Sequence, residues 1–136
     1  MNKRTATLSQ YGISRERRKE LYAFCRQYSE WKEKLEVYGM FPSSQKIDGM
    51  PFSKTNAVHD ITADTAIRRT ALEEKIKLIE DTAKEAAPDM WQILIKNMCY
   101  GKSFYYLRDV IGAPISQSAF KDRRKYFIIL LNERKM

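Results

Sequence analysis

The feature that most constrains this chain is a run of large apolar residues at alternating spacings of three and four. Leu21, Phe24, Tyr28, Trp31, Leu35 and Tyr38 recur in that order, and the residues between them are mostly Arg, Lys, Glu and Gln. A helix turns once every 3.6 residues, so this spacing puts the six side chains on one stripe and the charges opposite. Ser14 is a natural N-cap and Gly39 a natural C′ residue, which predicts one amphipathic helix from Ser14 to Tyr38. Leu72, Ile76, Ile79, Ala83 and Ala86 repeat the pattern. A second helix is therefore expected from near Asp60 or Thr62 until Pro88 interrupts it. Five glycines and four prolines in 136 residues are too few for a many-turned β structure. The expected class is all-α: a long helical hairpin, then a three-helix helix-turn-helix unit.

Two segments follow from the same reading. Residues 1–87 would form the hairpin, unless one or both stripes make a dimer interface instead, with a long irregular connection at about 40–59, where Pro42-Ser43-Ser44 and Asp48-Gly49-Met50-Pro51 are turn chemistry. Residues 88–136 would form the helix-turn-helix unit. In it, Pro88 opens a helix carrying Trp91, Leu94, Ile95 and Met98, and Gly101 ends it. Ser103 caps a short helix with Phe104, Leu107, Val110 and Ile111 on its apolar side. Gly112 ends that helix by taking positive φ, and Ser116 caps the last one.

Charge points to an anionic partner. The net charge is +8. Residues 1–59 hold 11 Lys/Arg against 6 Asp/Glu, residues 60–100 hold 6 against 8, and residues 101–136 hold 8 against 3. The basic ends flank an acidic middle, as when basic surfaces are mounted on a scaffold. On the last helix Phe120, Phe127 and Leu131 should face the core. Ser118, Lys121, Asp122 and Lys125 fall opposite, free to meet a groove, with Arg123 beside them for a phosphate. Arg124 lies near the apolar stripe and would snorkel to a phosphate or pair with a carboxylate of the second helix. Past Tyr126 the helix is apolar all round and should be buried. Taken alone, the Lys-Asp-Arg-Arg-Lys cluster reads as a solvated face; the capped, glycine-punctuated helices around it favour DNA binding.

Other chemistries find little support. His59 is the single histidine and sits in the expected loop, and it does not combine with Cys25 and Cys99 in metal-ligand spacing. The cysteines read as reduced, packed thiols. There is no Gly-rich phosphate loop, and Glu73, Glu74, Glu80, Asp81 and Glu85 read as a solvated helix face. Tyr100, Tyr105 and Tyr106 are of the kind that stack on bases, but their helical setting favours partial burial, as do the stripe positions of Trp31 and Trp91. No enzyme, cofactor or metal is expected. The longest apolar run, from Tyr126 to Leu131, is far short of a membrane span. A cytoplasmic protein without a membrane partner is expected.

Several segments together resemble a known group. Ile47-Asp48-Gly49-Met50-Pro51, Asp64-Thr65-Ala66, Ala86-Ala87-Pro88-Asp89 and the closing Phe120-Lys121-Asp122-Arg123-Arg124-Lys125-Tyr126-Phe127 look like small proteins of Gram-positive phages and prophages. Those are similar to the ArpU and RinA groups of transcription regulators, whose end domain is likened to the helix-turn-helix of sigma-factor region four. The resemblance covers the layout of residues 45–136. It implies regulation of phage genes through promoter DNA, with Ser116, Gln117, Ser118, Lys121, Arg123, Arg124 and Lys125 facing the duplex. Outside the resemblance, the basic residues Arg15, Arg17, Arg18 and Lys19 of the first helix would add phosphate contacts or dock on a partner, and Lys102 would add a phosphate contact. The expected partners are double-stranded DNA, a second copy as a homodimer, and host RNA polymerase or another host protein, in the bacterial cytoplasm. Two rival readings stay open: a phage-encoded helical adaptor or inhibitor that binds a host protein, and an oligomeric DNA-packaging component.

Overall fold

A computed structural model describes residues 8–40 and 55–135. After a 3-10 turn at Ser9–Tyr11 come α1 (Arg15–Arg26), α2 (Tyr28–Met40), α3 (Thr55–Ala86), α4 (Trp91–Met98), α5 (Phe104–Tyr106), a π turn at Leu107–Ile111, and α6 (Gln117–Arg134). The described residues contain helices and no strand, so the class is all-α.

The boundaries differ from the periodic reading in four places. The stretch expected as one helix from Ser14 to Tyr38 is two helices. Ser14 does cap α1, its Oγ accepting from the Arg17 N–H at 3.1 Å. At Gln27, however, the backbone N–H turns to the Phe24 carbonyl at 3.3 Å, while its side-chain amide donates to the Ala23 carbonyl at 3.3 Å. A side chain that occupies the i−4 acceptor displaces the backbone donor to i−3, which breaks the ladder. Gly39 does not stop α2, because it stays out of the positive-φ region and the helix runs on to Met40. Helix α3 begins at Thr55, ahead of Asp60, since no Gly or Pro interrupts residues 53–87. The connection expected at 40–59 thus loses both ends to helices, and residues 41–54 lie outside the described residues, as does the His59 side chain. Pro88 does not open α4: residues 88–90 form a turn, and Met90 precedes Trp91 without a side-chain cap.

Contacts divide the chain into two compact units along lines other than the 87/88 segment boundary. One comprises residues 1–29 and 77–136, the other residues 30–76. In the first, α1 packs against α6 and α4, and α4 against the π turn. Its core holds Leu21, Cys25, Ile79, Ala83, Leu94, Met98, Leu107, Phe120 and Phe127–Leu131, all at most 4% exposed. The all-round apolar second half of α6 is buried because helices cover it on several sides.

Polar ties lock this core. Thr82, fully enclosed, donates to the Leu78 carbonyl at 2.6 Å and accepts from Arg134 Nη1 at 3.0 Å, while Arg134 also pairs with Glu85. A buried hydroxyl satisfied on both sides avoids the cost of a stranded donor. The Tyr28 hydroxyl donates to Glu80 Oε1 at 2.6 Å. Cys25 and Cys99 are buried free thiols in mutual contact; the hydrogen bond between them and burial hold Cys99 protonated. In the second unit, Trp31 and Ile76 are buried, and the Lys75 ammonium stands 5.5 Å from the Trp31 ring. Arg69–Glu73 and Arg68–Asp64 pairs line its solvent face.

Candidate nucleic-acid interface

The last helix is set up by three local devices. Gly112 takes φ +84° and ψ 33°, and its N–H returns to the Leu107 carbonyl, which also accepts from Ala113 at 2.9 Å. Residues with a Cβ rarely adopt that conformation, so glycine permits the sharp reversal. Pro114 and Ile115 then lead to Ser116, whose Oγ accepts from the Ala119 N–H at 3.2 Å. That cap leaves the other first-turn N–H groups of an 18-residue helix directed along its axis, where the dipole favours an anion.

The first half of α6 divides into an anchored and a free side. Phe120 is 3% exposed and its ring sits 5.5 Å from that of Phe104, tying α6 to α5. Ser118, Lys121 and Asp122 are exposed on the other side, and Ser116 and Gln117 are exposed at the helix start. The remaining basic residues of the cluster are engaged within the chain. Arg123 is 24% exposed and its Nη1 meets Asp89 Oδ1 at 3.0 Å. Lys125, also 24% exposed, stands 3.8 Å from Asp122. Among the described residues, Arg124 pairs with no carboxylate of α3. Its Nε contacts Met98 Sδ at 3.2 Å and its guanidinium lies 5.2 Å from the Tyr22 ring, so it bridges α4 and α1. The turn at 88–90 brings Asp89 to Arg123, a partner 34 residues away that no helical periodicity could signal.

The auxiliary cations are similarly divided. Arg15 and Lys19 are exposed, Lys19 lying 3.5 Å from Glu16. Arg17 pairs with Glu20 at 3.0 Å and donates to Asn132 Oδ1 at 2.7 Å, holding α1 to α6. Arg18 is half-buried, and its enclosed Nε has no hydrogen-bond partner among the described residues. Lys102 stands 5.0 Å from the Tyr106 ring.

A cleft of about 290 Å³ separates the start of α4 from the first half of α6, with Gln92, Ile93, Ile115, Ala119 and Arg123 among its walls. It is open and at the lower end of small-ligand sites, so it reads as a surface groove. Among the described residues no three His, Cys, Asp or Glu side chains gather as metal ligands. No helix among them is long and apolar enough to cross a membrane.

Residues 100–111 depart from expectation. Tyr100, Tyr105 and Tyr106 are 47%, 55% and 37% exposed, and Val110 and Ile111 are 66% and 41% exposed. The tyrosine result was available in the spacing: Phe104 and Leu107 occupy the core stripe, so Tyr105 and Tyr106 fall off it. The exposure of Val110 and Ile111 was not, because it depends on the π turn. Trp31 is buried as its stripe position suggests, whereas Trp91 is half-buried, with the Lys84 ammonium 4.7 Å from its ring. The chain matches no family model, and searches of curated proteins and of solved structures find no significant match.

Proposed function

We propose that this chain is a DNA-binding transcription regulator of a phage or mobile element, of the ArpU and RinA kind, with the first half of α6 as its recognition helix. The observation that carries this reading is the division of that half-helix. Phe120 is buried, while Gln117, Ser118 and Lys121 stand exposed beyond a serine-capped N-terminus. A helix anchored on one side and polar on the other can enter a major groove without unpacking. Gln117 would pair with an adenine edge, Ser118 would accept or donate to either base type, and Lys121 would meet a guanine edge or a phosphate. Arg123 would reach a phosphate by exchanging its Asp89 partner, and Arg15 and Lys19 would add backbone contacts. The reading head would act as a pair on two half-sites in the host cytoplasm, since one such helix buries little DNA surface.

The test is an electrophoretic shift series against duplexes selected from random sequence, run across salt concentrations. Lys121→Ala and Arg123→Ala should each weaken binding. A variant that loses a phosphate contact should lower the salt slope by about one, and one that loses a base contact should relax sequence preference instead. If both variants bind as the parent does, the assignment of the recognition helix is wrong.

A further inference from the structure

Between Phe104 and Ile111 the chain makes one α turn and one π turn, and only Phe104 and Leu107 of that stretch are buried. At 3.6 residues per turn, Val110 and Ile111 would return to the face that Leu107 holds. The wider π turn delays that return, and the next buried position is Ala113. The exposed Tyr105, Tyr106, Val110 and Ile111 therefore crowd into seven positions, whereas Val37 and Ile67 are exposed singly. Scattered apolar side chains on a surface need no explanation, but a cluster does. Within it, the Arg108 guanidinium lies 5.2 Å from the Tyr105 ring and grips Asp109 by two hydrogen bonds, at 2.8 and 3.2 Å.

We propose that this face is an interface between two copies of the chain. The first reason is charge. Copies of a chain with net charge +8 repel one another on balance. On this face the Arg108 and Asp109 charges cancel, leaving Lys102 at its edge. The second reason is symmetry. A two-fold contact presents the same patch on both sides, so the patch must complement itself. An adjacent cation and anion among apolar groups does so, because Arg108 of one copy meets Asp109 of the other. Tyr and Arg surrounded by aliphatic groups are also the composition of interface cores. A nucleic-acid strand fits less well, for it would meet the Asp109 carboxylate and only one uncompensated cation. The face uses residues other than Gln117, Ser118 and Lys121, so the dimer stands apart from the DNA-binding reading.

Sedimentation equilibrium of the full chain, without DNA, tests this directly. The parent should show a concentration-dependent monomer–dimer equilibrium. Val110→Glu changes a side chain already 66% exposed and should weaken association by about tenfold or more while the helical circular dichroism is unchanged. Arg108→Asp and Asp109→Arg should each weaken it as well, by placing like charges across the two-fold. The double exchange should restore association, since opposite charges face each other again. A parent that stays monomeric overturns the proposal, as does a Val110→Glu variant that dimerises like the parent. So does a double exchange no better than either single change. A monomeric parent in which Val110→Glu alters only binding of a nucleic acid or a different protein overturns it too and assigns the face to that partner. Because mass is measured without DNA, failure here leaves the Lys121→Ala and Arg123→Ala result standing, and the reverse also holds.

Discussion

Gly101 and Gly112 both take positive φ, +72° and +84°, but in different surroundings. A Cβ at residue 112 would meet nothing within 4 Å, whereas one at residue 101 would stand 2.7 Å from Arg26 Nη1 and 3.1 Å from its Cζ. Forcing an alanine into the left-handed region costs about 1–2 kcal/mol, and the stiffer unfolded chain returns about 0.4–1 kcal/mol. Gly112→Ala should therefore destabilise the protein by about 1 kcal/mol. Gly101→Ala carries the same strain and must also displace the Arg26 guanidinium. That group donates from Nε to the Met98 carbonyl at 3.2 Å, satisfying an open acceptor at the end of α4. A hydrogen bond from a charged donor is worth about 1.5–3 kcal/mol. Arg26 is exposed and its guanidinium is the far end of a flexible side chain, so it can shift at a loss of up to about 1 kcal/mol, and the total should be about 1.5–2 kcal/mol.

Urea unfolding followed by far-ultraviolet circular dichroism reads both values from the midpoints at a common slope. A double-mutant cycle isolates the contact: in an Arg26→Ala background, Gly101→Ala should cost no more than Gly112→Ala. Equal costs for the two glycines in the parent, or an excess at residue 101 that persists without Arg26, would refute the reasoning.

Two further outcomes follow from the core. Burial, then the Glu80 carboxylate, raise the Tyr28 phenol above its ordinary range. Its contribution to stability should be complete below the ordinary phenol pKa of about 10 and fall as pH rises past it. Tyr28→Phe should cost about 1 kcal/mol at neutral pH, and the parent's advantage over it in thermal melts should shrink at alkaline pH; a constant advantage would contradict this. Phe127→Ala empties a site with no exposed surface and should cost about 3–5 kcal/mol. Lys121→Ala on the same helix should stay within about 0.5 kcal/mol. Urea midpoints compare the two, and a Phe127→Ala cost near that of Lys121→Ala would show that the second half of α6 is not core.

What the sequence determined by itself was much of what depends on near neighbours, though not the break at Gln27 or the turn at Pro88. The spacing of Leu21, Tyr28 and Trp31, and of Ile76, Ile79 and Ala83, is helical, and those residues are buried. Ser14, Ser103 and Ser116 cap because each oxygen lies three residues from the N–H it accepts. Gly112 ends its helix because it lacks a Cβ, and Phe120, Phe127 and Leu131 share a buried side because their spacing is helical. Only the tertiary structure decided the fate of the charges and of the apolar residues beyond the π turn. Asp89 claims Arg123, Tyr22 and Met98 claim Arg124, and Asn132 claims Arg17, through contacts between residues far apart in the chain. A periodic pattern records which side of a helix a residue occupies, but not what another segment will place there. Of the Lys-Asp-Arg-Arg-Lys cluster that reads as a solvated face, Lys121 and Asp122 stay exposed once folded, while Arg123 and Arg124 turn to partners within the chain.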